Sequence, residues 1–169
     1  MLLSVVIPVY NTKPSYIKEA LDSTQILHEL CDYEVIVVND GSSSTETCTF
    51  LLSLEGNAAF KIVHQENKGP GEARNTGIRM AQGHFIFPLD SDDCVHPEVS
   101  FFIDAIKKYS HIDVFHGERD VFGHKQERYP FDKLNAYDQL FRMNTIMAGS
   151  IYKKVIWERI GGYDETFQR

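Results

Sequence analysis

Long apolar runs are missing from this 169-residue chain. None approaches the ~18–20 residues that a bilayer-spanning helix needs. Lysine and arginine blocks are missing too. With 17 Lys+Arg against 24 Asp+Glu the formal charge is −7. That balance speaks against a nucleic-acid surface, since no basic tract or aromatic-basic interleaving is present. An anionic substrate would have to be met by a cation or by local donors. Cysteine is scarce: Cys31, Cys48 and Cys94 form an odd set without metal or redox spacing, so a reduced, cytoplasmic chain is expected. Seven histidines are scattered along the chain. His111 and His116, five apart on a strand, would face opposite sides. The opening Met-Leu-Leu-Ser-Val-Val-Ile-Pro has no basic stretch and reads as a strand, not a signal peptide. Three catalytic signatures are lacking as well. There is no Gly-x-x-x-x-Gly-Lys-Ser/Thr loop, no Gly-x-Ser-x-Gly elbow, and Gly69-x-Gly71 lacks the third glycine and does not follow the first strand. A P-loop NTPase, a serine hydrolase and a dinucleotide-binding domain are therefore disfavoured.

What is present is an ordinary globular composition, 43% hydrophobic and 24% charged, and a length that suits one domain with a real core. No repeat, low-complexity tract or linker divides it. Residues 2–9 are a continuous β-branched run, the pattern of a strand buried on both faces. Residues 14–30 carry helical spacing, with Pro14 suited to the first turn. A second buried strand is expected over 33–38, closed by Asn39-Asp40-Gly41-Ser42. A helix follows over 43–54, with Ser43 and Glu46 at capping-box spacing. Then come a strand at 60–64, a helix at 71–81, a strand at 83–89 and a helix at 97–109. This alternation predicts parallel βαβ units. After Ile112 the pattern changes. A hairpin of 113–122 and 124–129 turns around Gly123, a helix covers 132–142, a strand 146–152, and a short helix 153–160 ends at Gly161-Gly162.

The chemistry gathers at strand ends. Ile86-Phe87-Pro88-Leu89 runs straight into Asp90-Ser91-Asp92-Asp93. On an extended segment Asp90 and Asp92 would point the same way, roughly 6–7 Å apart. Carboxylates that close need a cation or strong donors. Two oxygen ligands with an open side suit Mg²⁺ or Mn²⁺, which also hold substrate phosphates. The competing explanation is that Asp92 or Asp93 caps the helix beginning near Pro97. In a doubly wound sheet ligands lie beyond the carboxyl ends of the strands. There this topology would bring together Pro8-Val9-Tyr10-Asn11, Asp40, the loop from Glu66 to Asn75, and Asp90–Asp93. The set suits a nucleoside diphosphate. Asp40 would accept from a base N–H, Tyr10 would pack on the base, Asp90 and Asp92 would serve ribose and metal, and Lys68 and Arg74 would meet phosphate. Each has a plainer alternative. Aspartate is common in turns, Tyr10 fits a core, Lys68 fits a solvated loop, and Arg74 fits an ion pair with Glu72 or a neighbouring carboxylate.

Taken in order, Pro8-Val9-Tyr10-Asn11, Val38-Asn39-Asp40-Gly41-Ser42, Asn67-x-Gly69-x-Gly71-x-Ala73-Arg74-Asn75-x-Gly77, Leu89-Asp90-Ser91-Asp92-Asp93 and Gly161-Gly162-Tyr163-Asp164-Glu165 resemble family 2 glycosyltransferases of the GT-A fold. The resemblance implies an α/β, Rossmann-like, mostly parallel mixed sheet flanked by helices, with a small hairpin after the Asp-x-Asp motif. It implies inverting transfer of a sugar from a nucleotide-diphosphate donor, by default a UDP-sugar, to a glycan or lipid-linked acceptor in cell-surface polysaccharide synthesis. By position, Pro8, Val9, Tyr10, Asn11, Asp40, Lys68, Gly71, Arg74, Asp90 and Ser91 would form the donor site. Asp92, with Asp90, would hold Mn²⁺ or Mg²⁺. Gly149, Asp164 and Glu165 would lie on the acceptor side, and Asp93 is left to the helix cap.

The resemblance also divides the expected single domain of 1–169 into a nucleotide-sugar half, 1–93, and an acceptor half, 94–169. In similar proteins an acidic Glu-Asp motif supplying the base follows Gly-Gly-Tyr-Asp-Glu closely. The chain is therefore expected to be a fragment that binds donor and lacks the base, with any contact to the inner membrane made by residues beyond Arg169. Two alternatives remain: a non-catalytic nucleotide-sugar-binding domain, and a sugar nucleotidyltransferase. The second would want a glycine-rich basic loop where Tyr10-Asn11-Thr12-Lys13 stands.

Overall fold

The computed structural model describes residues 1–123, 126–129 and 149–166. Its centre is a six-stranded sheet. Four strands run parallel: β1 (Leu3–Val9), β2 (Tyr33–Asp40), β3 (Lys61–Gln65) and β4 (Phe85–Pro88). Two short strands extend the sheet beyond β4: β8 (Ile151–Lys153) pairs antiparallel with β4, and β5 (Val114–Phe115) pairs antiparallel with β8. The spatial order is β3-β2-β1-β4-β8-β5. β6 (Arg119–Val121) and β7 (Glu127–Tyr129) form a separate two-stranded hairpin. This is the mixed, mostly parallel sheet that was expected. β8, from the second half of the chain, pairs Phe85 with Lys153 and Ile86 with Tyr152, so both halves share one sheet.

Period-2 alternation explains why both faces are covered. Leu3, Val5, Ile7, Val9, Val35, Val37, Phe85 and Phe87 enter the larger core, where they meet Ile17, Leu21, Leu51 and Ile103. The intervening Val6, Ile36, Val38 and Ile86 point the other way and meet Ala73 and Ile78. Helices α1 (Pro14–Ser23), α2 (Thr45–Leu54) and α4 (Val99–Lys108) thus line one face. On the other lie α3 (Pro70–Met80) and α5 (Lys154–Ile160), the latter through Trp157. α3 approaches β1 so closely that a Cβ on Gly77 would stand 2.4 Å from Val6 Cγ1. Only glycine lets the helix backbone lie there.

Local expectations fail at identifiable places. The helix over 14–30 stops at Ser23 and tightens into a 3₁₀ segment, Thr24–Glu29, where the hydroxyls of Ser23 and Thr24 donate to the carbonyls of Ala20 and Leu21. α2 is capped by Ser44, which accepts from Thr47 N, so the cap lies one residue beyond Ser43 and the box read from Ser43 and Glu46 does not form. The strand read over 113–122 is interrupted between β5 and β6. The hairpin around Gly123 keeps only three residues on each side. Of the strand read over 146–152, Gly149 and Ser150 are outside β8, and residues 146–148 lie outside the described residues, as does the helix read over 132–142.

Candidate donor-binding site

β1, β2 and β3 end in register: Val9 lies opposite Asn39, Asn39 opposite His64, and Asp40 opposite Gln65. β4 stops opposite Val6, and one further bond, Leu89 N to Val6 O, carries it to its edge. The chain then turns, with Asp93 N donating to Asp90 O at 3.0 Å. This corrects the geometry expected for the carboxylates. Asp90 and Asp92 do not alternate along an extended strand but occupy a tight turn. Ser91, 7% exposed, is the residue turned inward. Its hydroxyl is 2.7 Å from Thr12 Oγ1, and Thr12 O in turn accepts from Thr47 Oγ1. Ser91 therefore anchors the turn to the segment after β1, while Asp92 stays exposed with no hydrogen bond or ion pair to any described residue. Asp93 is not the cap of α4: that helix starts at Val99, and Glu98 takes the cap position without a side-chain bond.

Asp90 is held by Arg74, with Nη2 2.5 Å from Oδ1. Among the plainer alternatives, the neighbouring carboxylate has won. Glu72 is taken instead by Arg79 at 2.9 Å, and that guanidinium holds the Glu72 carboxyl below its ordinary range. Arg74 thus faces the Asp90 turn and keeps one positive charge beside that carboxylate.

The remaining predicted residues divide. Tyr10 is 54% exposed, so it is not core. Val9 is fully buried in the larger core, so its side chain does not line a pocket as expected. Its neighbours Pro8 and Tyr10 both retain exposed surface. Asn11 sits in the left-handed region at φ 54. Its Oδ1 accepts from Ser43 N and Ser44 N, both at 2.8 Å, and its backbone N–H donates to Ser42 Oγ. It fastens the end of β1 to the turn before α2. Asp40, 3% exposed, accepts from Gln65 Nε2, Lys68 N and Gly69 N. Its carboxylate shapes the loop between β3 and α3 instead of standing open to a base. Lys68 is exposed, and its backbone, not its ammonium, makes the described contact. Gly71 lies in the first turn of α3, where a Cβ would meet Asp164 O at 3.2 Å. Gly149 is exposed at the entrance to β8.

The acceptor-side carboxylates are engaged in their own turn. Asp164 Oδ1 accepts from Thr166 N and Thr166 Oγ1, bonds that lower its pKa. Glu165 pairs with Arg79 at 3.0 Å and accepts from Asn75.

Asn75 is the residue that sequence analysis quoted without giving it a role. It is 1% exposed. Its amide nitrogen donates to Tyr163 O, and its oxygen accepts from Tyr163 N and Trp157 Nε1. The available signal was an amide three residues before Ile78, on the same side of the helix. A second unforeseen element is His64, whose Nδ1 lies 3.0 Å from Asn39 Nδ2 and whose Nε2 lies 2.9 Å from Glu55. Asn39 Oδ1 accepts from Ser42 N, so this pair braces the turn that Asn11 grips from the other side.

Two carboxylates and surrounding hydroxyls are hard oxygen donors, the chemistry of Mg²⁺ and Mn²⁺. The exposed Asp92 fits such an ion, because one or two carboxylates plus substrate phosphates are its usual protein-bound shell. Among the described residues no cluster of three or more His, Cys, Asp or Glu could hold a metal without those phosphates.

Comparison with known proteins places the chain among glycosyltransferases. The family model described as glycosyl transferase family 2 matches residues 4–163. The chain is 30% identical over 181 residues to an uncharacterized glycosyltransferase, RP339, of Rickettsia prowazekii, covering 99% of this chain and 55% of that one. It is 38% identical over 96 residues to the putative glycosyltransferase EpsH of Bacillus subtilis, covering 57% of this chain and 27% of that one. This chain thus spans about half the length of RP339, and its match to EpsH spans about a quarter of that protein. Among solved structures, S. aureus TarS residues 1–349 superimposes with a TM-score of 0.76 at 25% identity, over all of this chain and 52% of that one. The same protein in complex with UDP-GlcNAc superimposes with a TM-score of 0.74 at 26% identity, over 96% of this chain and 48% of that one.

Proposed function

This chain belongs to glycosyl transferase family 2, and from that premise we propose that it moves a sugar from a UDP-sugar to a hydroxyl of a glycan or lipid-linked acceptor, with inversion. The observation that carries the donor is the likeness to a structure holding UDP-GlcNAc, taken with the strand-end geometry. Tyr10 offers a ring for the base. Asp90, steadied by Arg74, presents its second oxygen to the ribose region. Asp92 and the diphosphate would hold Mn²⁺ or Mg²⁺. Such an ion would supply electrostatic stabilisation of the departing diphosphate.

An inverting transfer is a single displacement, so the acceptor hydroxyl must lose its proton to a base within hydrogen-bond reach. Asp164 and Glu165 are committed to Thr166, Arg79 and Asn75. We place the base outside the described residues. The product is a surface polysaccharide or lipid-linked glycan. The free thiols Cys31, Cys48 and Cys94 support a cytoplasmic place of work. Among the described residues no helix is long and apolar enough to cross a membrane.

A thermal-shift screen of UDP-, GDP- and dTDP-sugars with Mn²⁺ tests the donor. Binding stabilises by mass action, about 2.7 kcal/mol at a hundredfold excess over Kd, so the UDP-sugars should raise the melting temperature. Asp92→Ala should abolish the metal-dependent part of the binding seen by calorimetry, with the fold intact because the side chain is exposed. Unchanged metal-dependent binding in that variant would return Asp92 to the role of a surface charge. Binding without sugar transfer in the full-length protein would favour a non-catalytic nucleotide-sugar-binding domain.

A further inference from the structure

Arg74 is only partly explained by its partner. One guanidinium nitrogen holds Asp90, but Nε is buried with no hydrogen-bond partner among the described residues. Leaving a buried donor unmade is costly, so another contact must keep the side chain in place. The Tyr163 ring supplies it: Arg74 Cζ lies 5.8 Å from the ring centroid, within cation–π range.

The ring itself has little freedom. Asn75 grips both the N–H and the C=O of Tyr163. The Tyr163 hydroxyl lies 3.1 Å from that of Tyr152, which burial keeps protonated by pushing its pKa upward. The residue before it, Gly162, has φ +90, and a Cβ there would stand 2.8 Å from Asn75 Oδ1. The backbone can reach this grip only as glycine.

Resting on the donor-site reading above, we propose that Tyr163 is a positioning residue. Its ring, docked by Asn75, sets the Arg74 guanidinium that holds Asp90 at the donor. Tyr163 acts through Arg74 and need not touch the substrate. A leucine in its place keeps apolar volume but gives the guanidinium no face to lie against. Arg74 then leaves Asp90 part of the time, and an uncompensated carboxylate repels the anionic donor. A phenylalanine keeps the face and loses only the bond to Tyr152.

Calorimetry with UDP and Mn²⁺ on the full chain, beside the ¹⁵N-edited NMR signal of Arg74 Nε–H, separates the cases. Tyr163→Leu should weaken UDP by roughly tenfold, the scale of a partly desolvated cation–π contact. It should also remove the ring-current shift of the Arg74 signal. Tyr163→Phe should stay within about twofold of wild type and keep the shift. Should the leucine variant fail to fold, Tyr163→Met replaces it. Equal UDP affinity in wild type and the ring-less variant overturns the proposal, as does an Arg74 signal that does not move. If wild type binds no UDP, the donor-site reading fails instead. The Arg74 signal then decides alone whether Tyr163 positions it.

Discussion

Asn75 and Tyr163 bond to each other in both directions: the Asn75 amide nitrogen donates to Tyr163 O at 2.9 Å, and Tyr163 N donates to Asn75 Oδ1 at 2.8 Å. A side-chain amide thus imitates a neighbouring strand and pins the Gly-Gly-Tyr-Asp-Glu turn onto α3. Because Trp157 Nε1 and Glu165 Oε1 use the same amide, one residue ties α5 and the following turn to α3.

Asn75→Ala should therefore destabilise the fold by about 2–4 kcal/mol, since it strands several part-buried groups at once. Urea unfolding should show a lower midpoint with an unchanged slope. A loss below about 0.5 kcal/mol, the size of an ordinary surface change, would mean that water replaces the clamp.

Gly77→Ala should also destabilise, by overpacking. The added methyl would stand 2.4 Å from Val6 Cγ1 and 3.1 Å from Val38 Cγ2, so α3 must move off the sheet at a cost of about 1–3 kcal/mol. Ala is otherwise the better helix former, so a stabilised variant would show that α3 does not lie this close to β1. Thermal melting reads the sign.

Asp40→Ala should free the loop before α3. Three donors lose their acceptor: Gln65 Nε2, Lys68 N and Gly69 N. Amide hydrogen exchange at Lys68 and Gly69 should accelerate markedly, while β1 amides stay protected. Unaltered exchange at these two amides would show that the loop holds its form without the carboxylate.

The Glu72–Arg79 pair gives stability a pH dependence. The Arg79 hydrogen bond holds Glu72 below its ordinary value of 4.5. A depressed folded-state pKa contributes stability that is present above the unfolded value and lost as pH falls through the folded one. The midpoint advantage of wild type over Glu72→Gln should thus hold near pH 6 and shrink toward about pH 3. The half-exposed Arg79 makes the effect weaker in high salt. A gap that is the same at both ends of that range would count against the pair.

Most of the sheet was legible because its signal is local. Val5, Val6 and Ile7 alternate between two cores, and a run apolar at every position predicts burial on both faces. Helical spacing likewise located α1. The antiparallel β8 was legible only as a strand, because nothing in Ile151–Lys153 names β4 as its neighbour. The Asp90–Asp93 turn was misjudged as extended because carboxylates mark the end of a strand without stating how the chain leaves it.

The sequence by itself determined the order of strands and helices, the placing of polar residues at strand ends, and the family to which those motifs belong. Tertiary structure alone decided the partners. Arg74 could have met Glu72, two residues away, and instead holds Asp90, 16 positions on. Asp40 closes on Lys68, 28 away, and Asn75 on Tyr163, 88 away. The physical reason is that a hydrogen bond or ion pair stabilises according to burial and geometry. Those are set only when distant elements pack. A strand-end carboxylate is therefore visible in the sequence, but whether it faces a donor, a loop or an arginine is decided by what folds against it.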